Sequence, residues 1–324
     1  MEPRYRASGL PTSAKANQAV TDVAMIPAFV NPGAGNFEKA REVLASSGRF
    51  DINEIPGPQL GDAIRKAVAQ GATRIVVAGG DGTICTAASI TCGTDVELAI
   101  LPAGTLNHFA IDHGIPIDLA EAAKVAAGET TMMADVGYAG DRLFLNTSSI
   151  GAYVSFVQMR DRLEKHFGYR LASLIATIRI FVVMPTIGAQ IEIDGVTQTY
   201  RTPLVMVSVG ERQLQLPVLG SRVKGGKRGL QIFAVRGRKR ARLLVVALAA
   251  VARGVDGRTP ELDAYLVDHC TIDRKRQRAR VSFDGETERK TLPLKYRVER
   301  DALRIVVPEA APEKANVPAT APAS

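Results

Sequence analysis

The 324-residue chain has few of the residues that bind metals or form cross-links. It contains three cysteines, four histidines and no tryptophan, and aromatic residues make up only 5% of it. The odd set of cysteines, Cys85, Cys92 and Cys270, has no regular spacing, which argues against a disulfide framework. No Cys or His pair has the spacing of zinc ligands. The core is therefore expected to be aliphatic, and a reducing cytoplasm suits the chain best.

Long apolar runs are also missing. A bilayer span takes about 20 apolar residues, whereas Leu171–Gly188 contains Arg179 and Pro185, and Leu243–Ala252 is too short. The N-terminal residues lack the apolar region of a secretory signal. We therefore expect no transmembrane helix, and a cytoplasmic protein that meets membranes only at their surface.

Positive charge is in excess, with a formal net charge of +8. Such a surface either aids solubility or attracts polyanions, meaning anionic lipid or nucleic acid. The basic residues cluster at Lys224–Arg228, Arg236–Arg242 and Arg274–Arg280, without interleaved aromatic residues that would stack on bases. This pattern favours an anionic membrane surface as partner over nucleic acid, and it leaves the oligomeric state open.

The length of the chain predicts two domains. Apolar runs alternate with helical stretches over residues 23–136, which predicts an α/β domain on an open parallel sheet. Over residues 137–307, short runs of β-forming residues surround helical stretches at Val154–Met184 and Arg238–Arg253, which predicts a β-rich domain. We expect a flexible leader at residues 1–22 and a disordered Pro/Ala-rich tail at residues 308–324.

Glycine-containing loops follow the predicted strands of the first domain. They are NPGAGN at Asn31–Asn36, GGDGT at Gly79–Thr83 and LPAGTLNHFA at Leu101–Ala110. Ligands bind beyond the carboxyl ends of such strands, so the loops should gather on one edge of the sheet. Glycine lets the backbone approach a phosphate closely and point N–H groups at it. The loops predict a phosphate site, and a plain tight turn is the alternative for each.

Candidate acids come from GGDGT and from a downstream segment. Asp81 lies inside a loop expected to hold anions, where it makes sense beside Mg²⁺ or as a proton acceptor. In SFDGE, Ser282–Glu286, a strand leads into a turn that exposes Asp284 and Glu286. If this turn faces the phosphate edge, one carboxylate can act as general base toward a hydroxyl. Asp-Gly is equally typical of a simple hairpin turn, and that alternative stays open.

Taken in order, these motifs resemble the diacylglycerol kinase catalytic domain, a family that includes bacterial lipid kinases and sphingosine and ceramide kinases. ADVG at Ala134–Gly137 and NTSSIG at Asn146–Gly151 belong to the resemblance, which runs from about Val23 to Pro308. It implies an N-terminal α/β domain of the NAD-kinase and phosphofructokinase group, a β-rich sandwich, and a nucleotide between them. The implied activity is transfer of the γ-phosphoryl group of ATP, with Mg²⁺, to a hydroxyl of a diacylglycerol-like or ceramide-like lipid.

The resemblance also implies roles for individual residues. Glu286 matches the proposed general base and Asp284 its catalytic neighbour, while Asp81 and Asp135 match acids implicated in Mg·ATP binding and catalysis. The positions expected to bind nucleotide are Asn31, Pro32, Gly33, Ala34, Gly35, Gly79, Gly80, Asp81, Gly82, Thr83, Gly104, Thr105 and Asn107.

The chain departs from the family pattern at several positions. After GGDGT, Ile84–Thr86 lack a polar and an acidic group that many members have, and His108 replaces an Asp. Lys224–Gly229 is basic where many members hold a structural Mg²⁺ with an Asp, so that metal site is expected to be absent or altered. Val209–Leu216 lacks the expected Asn-rich pattern, which predicts altered substrate selection or nucleotide contact.

Two other functions stay open. An NAD kinase shares the GGDGT loop and the general architecture, although NPGAGN and GTLNHFA point away from it. A non-catalytic, nucleotide-binding and membrane-associated protein is motivated by Thr86, His108 and the basic segment Lys224–Arg228. Transfer to a lipid, transfer to a dinucleotide, or ATP binding without turnover would separate these functions.

Overall fold

The computed structural model describes residues 25–183, 186–215, 218–223, 225–235 and 262–309. Four predicted features lie wholly or mostly outside these ranges: the leader at 1–22, the tail at 308–324, the helix at Arg238–Arg253 and the basic cluster Arg236–Arg242. Within the described ranges, no helix combines the length and the apolar character needed to cross a membrane.

The N-terminal half alternates strands and helices. Its elements are β1 (Ile26–Val30), α1 (Phe37–Ser47), β2 (Phe50–Glu54), α2 (Gly57–Ala69), β3 (Arg74–Gly79), α3 (Asp81–Thr91), β4 (Glu97–Pro102), α4 (His108–Asp112) and α5 (Leu119–Ala126). β1 to β4 are parallel, and β3 and β4 are buried along most of their length, as expected for strands covered by helices on both faces. The predicted open parallel α/β fold is confirmed. β2 has no counterpart among the predicted strands, because FDINE has few apolar residues.

The strand order β2-β1-β3-β4 determines where a ligand site can form. The chain crosses from β1 to β2 on one side and then returns past β1 to β3 on the other. Right-handed crossovers therefore place α1 and α2 on opposite faces of the sheet. Open α/β sheets bind ligands at such a point of divergence, beyond the carboxyl ends of the strands. The loops after β1 and β3 flank that point.

The C-terminal half is β-rich and mainly antiparallel. Its elements are β5 (Thr131–Ala139), β6 (Arg142–Phe144), β7 (Thr147–Gly151), α6 (Ala152–Val183), β8 (Ile187–Ile193), β9 (Val196–Thr202), β10 (Leu204–Val209), β11 (Arg212–Gln215), β12 (Val218–Arg222), β13 (Leu230–Val235), β14 (Leu262–Val267), β15 (His269–Asp273), β16 (Arg278–Phe283), β17 (Glu286–Thr291) and β18 (Leu294–Val306). The helical run of α6 is interrupted at Gly168, whose φ of 70° is not helical. The predicted β-rich region is confirmed.

Two sheets pack against each other in this half. The ten-stranded sheet continues beyond β4 through β18, β15, β8 and β9, and a six-stranded sheet runs β14-β13-β10-β7-β16-β17. Their shared core contains Ile191 and Tyr296 from the first sheet and Val207 and Phe283 from the second. An aliphatic core with a few large rings agrees with the low aromatic content of the chain.

β18 joins the two halves. Its first residues pair with β15 and its end pairs in parallel with β4, while β5 runs antiparallel along its other side. Leu303 and Ile305 belong to the N-terminal core, whereas Leu294 and Tyr296 belong to the second core. One continuous sheet therefore crosses the predicted domain boundary between residues 136 and 137, which falls inside β5.

Candidate active site

Backbone hydrogen bonds join the glycine loops at the carboxyl edge of the parallel strands. The amide of Asn31 donates to the carbonyl of Ala78 at 3.0 Å, and the amide of Asn36 donates to the carbonyl of Ala103 at 3.1 Å. The amide of Ala103 in turn donates to the carbonyl of Gly79 at 3.0 Å. The structure therefore brings together the loops that follow β1, β3 and β4.

Close approach of the second and third loops requires glycine. A Cβ atom on Gly104 would overlap the Cα atom of Gly80 and would lie 2.9 Å from Oδ1 of Asn107. Asn107 has a left-handed backbone, with φ 51°. Its Oδ1 accepts from the amide of Gly104 at 3.0 Å, and its Nδ2 donates to the carbonyl of Gly104 at 2.9 Å. Asn107 therefore shapes the loop, and its direct contact with a nucleotide stays a prediction.

Asn31 and Thr83 connect the first loop to the second. Nδ2 of Asn31 donates to Oγ1 of Thr83 at 3.1 Å, and Oδ1 of Asn31 accepts from the amide of Gly33 at 2.9 Å. Among the positions expected to bind nucleotide, the exposed ones are Pro32, Gly33, Gly35 and Thr105; the half-buried ones are Asn31, Ala34, Gly80, Asp81, Gly82 and Gly104; the buried ones are Gly79, Thr83 and Asn107.

Asp81 opens α3, and its carboxylate reaches the start of α4. Oδ2 accepts from the amide of His108 at 3.3 Å and Oδ1 from the amide of Phe109 at 3.2 Å. Both donors belong to the main chain, so the side chain of His108 does not enter this link. A half-buried carboxylate at a glycine loop is the kind of ligand that Mg²⁺ takes together with phosphate oxygens. Asp81 therefore fits the metal that the resemblance implies.

The turn between β16 and β17 brings Glu286 to the GGDGT loop. A Cβ atom on Gly82 would lie 2.6 Å from Oε1 of Glu286, so a larger residue there would displace the carboxylate from the loop. Nη2 of Arg142 lies 3.3 Å from Oε2 of Glu286, and Nε of Arg142 lies 2.8 Å from Oε1 of Glu288. The Glu286 side chain is 60% exposed. The arrangement holds a carboxylate at the mouth of the loop and leaves it open to solvent.

Asp284 lies in a different environment from Glu286. Its Oδ2 accepts from the amide of Leu145 at 2.7 Å, and its Oδ1 accepts from the amides of Asn146 and Thr147 at 2.8 Å each. Burial is the largest influence on the pKa of this carboxyl and raises it above its ordinary value, although the amide donors act in the opposite direction. The carboxylate therefore anchors the turn to NTSSIG and does not face solvent.

Asp135, the other acid that matches an Mg·ATP position, lies among arginines. Arg228 donates to both of its oxygens, with Nε 2.9 Å from Oδ2, and the amide of Asp301 donates to Oδ1 at 3.1 Å. Nη2 of Arg222 is 3.8 Å from Oδ2. Burial raises the pKa of Asp135, but the bonds from Arg228 and Asp301 outweigh it and hold the pKa below its ordinary value. The guanidinium groups thus supply the positive charge that this carboxylate requires.

This arrangement does not fit the structural Mg²⁺ that the resemblance implies near Lys224–Gly229. Arg228 comes from that basic segment and forms an ion pair with the carboxylate of Asp135. The described part of the chain contains no group of three or more His, Cys, Asp or Glu side chains able to hold a metal ion. A ligand role for Asp135 toward Mg·ATP stays a prediction, and its arginine partners oppose it.

Replacing Arg228 with alanine is expected to lower the free energy of unfolding by about 1–3 kcal/mol, because it leaves a buried carboxylate without its main donors. Adding a chelator to the wild-type protein is expected to leave Tm unchanged. Urea and thermal unfolding with and without chelator measure both effects. Lys227→Ala is the matched control, since it removes an exposed cation from the same segment. A fall in wild-type Tm on chelation would show that a structural metal is present after all.

Sequence reasoning missed two arginines of the site region. Arg142 holds Glu286, and Arg212 forms a buried ion pair with Asp112 and donates to Oδ1 of Asn146 at 3.3 Å. Arg212 lies in the segment that departs from the Asn-rich family pattern. Neither residue stands in a local motif, and the Arg142–Glu286 and Arg212–Asp112 pairs are 144 and 100 positions apart in sequence. Only the folded chain brings these partners together.

Residues 26–139 match the model of the family described as "Diacylglycerol kinase catalytic domain". A protein of Pseudomonas putida named "Probable lipid kinase YegS-like" is 34% identical over 159 residues, which cover 47% of this chain and 52% of the relative. A "Diacylglycerol kinase" of Mycobacterium tuberculosis is 33% identical over 103 residues, which cover 29% of this chain and 33% of that protein. The matches thus span about half and about a third of these relatives.

A crystal structure of a diacylglycerol kinase from Bacillus anthracis has the same fold. It aligns with a TM-score of 0.65 at 20% sequence identity, and the alignment covers 88% of this chain and 97% of that one. The likeness shows a shared fold, and the sequence match to the family model covers residues 26–139. Residues 26–139 are thus similar to the diacylglycerol kinase catalytic domain.

Proposed function

We propose that the chain is an ATP-dependent lipid kinase that transfers the γ-phosphoryl group to a hydroxyl of a membrane lipid. The contact between Glu286 and Gly82 carries this proposal, because it places an exposed carboxylate at a glycine loop that opens a helix. Such a loop is suited to hold phosphate groups. A carboxylate beside it is suited to accept a hydroxyl proton during transfer. The names of the relatives, a probable lipid kinase and a diacylglycerol kinase, agree with this function.

In this proposal the phosphates of ATP lie on Gly79–Thr83 and Gly104–Thr105. The first loop, Asn31–Gly35, contacts the nucleotide across the divergence between β1 and β3. The bond from Asn31 to Thr83 holds the two sides of this site together. Asp81 would hold Mg²⁺, which would supply positive charge to neutralise the phosphates.

Glu286 acts as general base toward the acceptor hydroxyl. Arg142 contacts Oε2 and orients the carboxylate, so that Oε1 lies against the Gly82 backbone. Asp284 acts by positioning, since its bonds to three consecutive amides hold the turn that carries Glu286. Catalysis of this kind consists mostly of placing the reactants and stabilising developing charge. We therefore assign Asp284 a positioning role, where the resemblance implied a catalytic neighbour.

The acceptor is drawn from a membrane, so the enzyme must work at the membrane surface. The net charge of +8 favours an anionic surface. We propose peripheral association through basic side chains, each of which contributes about 1 kcal/mol near such a surface.

The test is transfer of label from γ-labelled ATP to a panel of detergent-dispersed lipids and to NAD. The panel holds diacylglycerol, ceramide, a sphingoid base, a polyprenol and an anionic glycerophospholipid. One labelled lipid product supports the kinase and names its acceptor. Labelled NADP would instead establish an NAD kinase. Binding of ATP without any labelled product would establish the non-catalytic protein.

A further inference from the structure

An open cavity of about 400 Å³ lies between α6 and the hairpin formed by β16 and β17. The residues that line it are Gln158, Arg162, Arg280, Thr287, Glu288 and Arg289. The two residues from α6 are four positions apart and therefore share one helix face. All of the lining side chains are polar or charged, so the cavity suits a charged group and not an acyl chain.

The arginines of this cavity are short of negative partners. Arg280 and Arg289 stand directly opposite each other across the hairpin, and like charges in that position destabilise a sheet. Nη1 of Arg280 donates to Oε1 of Gln158, a neutral amide, at 2.7 Å. In the described part of the chain, none of the three arginines, Arg162 included, has a carboxylate within ion-pair distance.

Glu288 is a carboxylate in the lining, but other cations already hold it. Nε of Arg142 lies 2.8 Å from its Oε1, and Nζ of Lys290 lies 2.8 Å from its Oε2. The cavity therefore retains a net positive charge. Guanidinium groups that line one cavity match the oxygens of a phosphate, because each offers paired N–H donors in a fixed plane.

We propose that Arg162, Arg280 and Arg289 form a binding site for the phosphate group of an anionic membrane lipid. Its place beside the reaction rests on the proposed kinase function. Glu286 begins the strand whose next residues line the cavity, and two strand residues span about 7 Å. Arg280 and Arg289 lie on the opposite face of the hairpin from Glu286, which pairs with the buried Phe283. A lipid held in the cavity therefore docks the enzyme beside the reaction and is not itself the acceptor. The charge of the cavity selects an anionic phospholipid over uncharged diacylglycerol or ceramide as the docking lipid.

Sedimentation with vesicles tests this site without requiring turnover. The wild-type chain is expected to bind phosphatidylcholine vesicles that contain phosphatidylglycerol more tightly than vesicles of phosphatidylcholine alone. The double variant Arg280→Gln/Arg289→Gln should lower the affinity for the anionic vesicles about 30-fold, which corresponds to about 1 kcal/mol for each cation removed. Because the variant also removes a like-charge pair, its Tm should equal or exceed that of the wild type.

The matched control is Arg201→Gln/Arg276→Gln, which removes the same charge from exposed positions outside the cavity. This control should keep nearly wild-type binding. An equal loss in both variants would overturn the site, since binding would then depend on total charge alone. Inorganic phosphate provides the other arm and should compete with anionic vesicles for the wild type. If inorganic phosphate stabilises only the wild type while all variants bind vesicles equally, the cavity binds a soluble phosphate compound. The lipid assignment then fails.

Acceptor kinetics separate this site from the proposed function. In mixed micelles that contain phosphatidylglycerol, Arg280→Gln/Arg289→Gln should raise the KM for the acceptor lipid and change kcat little, whereas in micelles without anionic lipid the KM should not change. A wild-type chain that phosphorylates no lipid would refute the kinase, and the vesicle result would still decide the phosphate site. Intact kinase activity with equal KM values in wild type and variant would refute the cavity assignment alone.

Discussion

Replacing Glu286 with glutamine is expected to slow phosphoryl transfer about 10²–10⁴-fold, the usual cost of removing a general base. The amide keeps the size of the side chain but cannot accept the acceptor's proton at neutral pH. The carbonyl oxygen of the glutamine still fits against Gly82, so the GGDGT loop should keep its shape. Initial rates of label transfer to the acceptor lipid, measured at saturating ATP, give kcat for both proteins.

Binding measurements distinguish a lost base from a damaged loop. The Kd for ATP should be the same for wild type and Glu286→Gln, because Glu286 acts on the acceptor. Glu299→Gln is the control, since it also removes a carboxylate paired with an arginine, Arg297, but on β18. It should retain wild-type kcat. Full activity in Glu286→Gln would place the base elsewhere.

Replacing Asp284 with alanine is expected to cost several kcal/mol of stability. The carboxylate accepts hydrogen bonds from the consecutive backbone amides of Leu145, Asn146 and Thr147. Each buried donor left unpaired costs about 1–3 kcal/mol. Asp284 also has a left-handed backbone with φ 47°, which alanine adopts less readily than aspartate. Urea unfolding followed by circular dichroism measures the change in free energy. Activity should fall as well, because the turn holds Glu286 at the loop.

Asp194 supplies a matched control for the backbone contribution. It precedes Gly195 in the turn between β8 and β9 and has φ 50°, but its side chain is exposed. Asp194→Ala therefore carries the same backbone strain, about 1 kcal/mol, without loss of buried hydrogen bonds. A similar cost for Asp194→Ala and Asp284→Ala would show that the amide bonds add little. Asp284→Asn should lie between these variants, because it keeps one acceptor oxygen.

The fold of the N-terminal half could be predicted because local signals and topology agree there. Each buried strand ends in a glycine loop, as at Gly79–Thr83, and a helix follows. This repeating order leads to a parallel sheet with its loops at one edge. A contact between SFDGE and GGDGT requires that the SFDGE turn face the phosphate edge of the sheet. No local sequence pattern shows which edge the turn faces. The structure meets that condition through Gly82 and Glu286.

The remaining features depend on contacts between distant parts of the chain. The Asp-Gly signal of SFDGE correctly predicts a hairpin turn. It cannot show that Asp284 faces inward to the amides of Leu145–Thr147 while Glu286 faces outward, because that difference arises from strand β7 beside β16. Likewise, the basic character of Lys224–Gly229 predicts an altered metal site, but only the fold shows Arg228 bound to Asp135.

The position of β18 has a consequence for the way the chain is synthesised. Leu294–Val306 leaves the ribosome after every other described strand, yet it lies in the middle of the ten-stranded sheet. Until it arrives, β4 and β15 each lack the neighbour that pairs with them on that side, and β5 lacks its long partner. Open strand edges are templates for pairing with other chains. The nascent protein therefore cannot complete its first domain until Leu294–Val306 has been made, and its sheet keeps open edges until then.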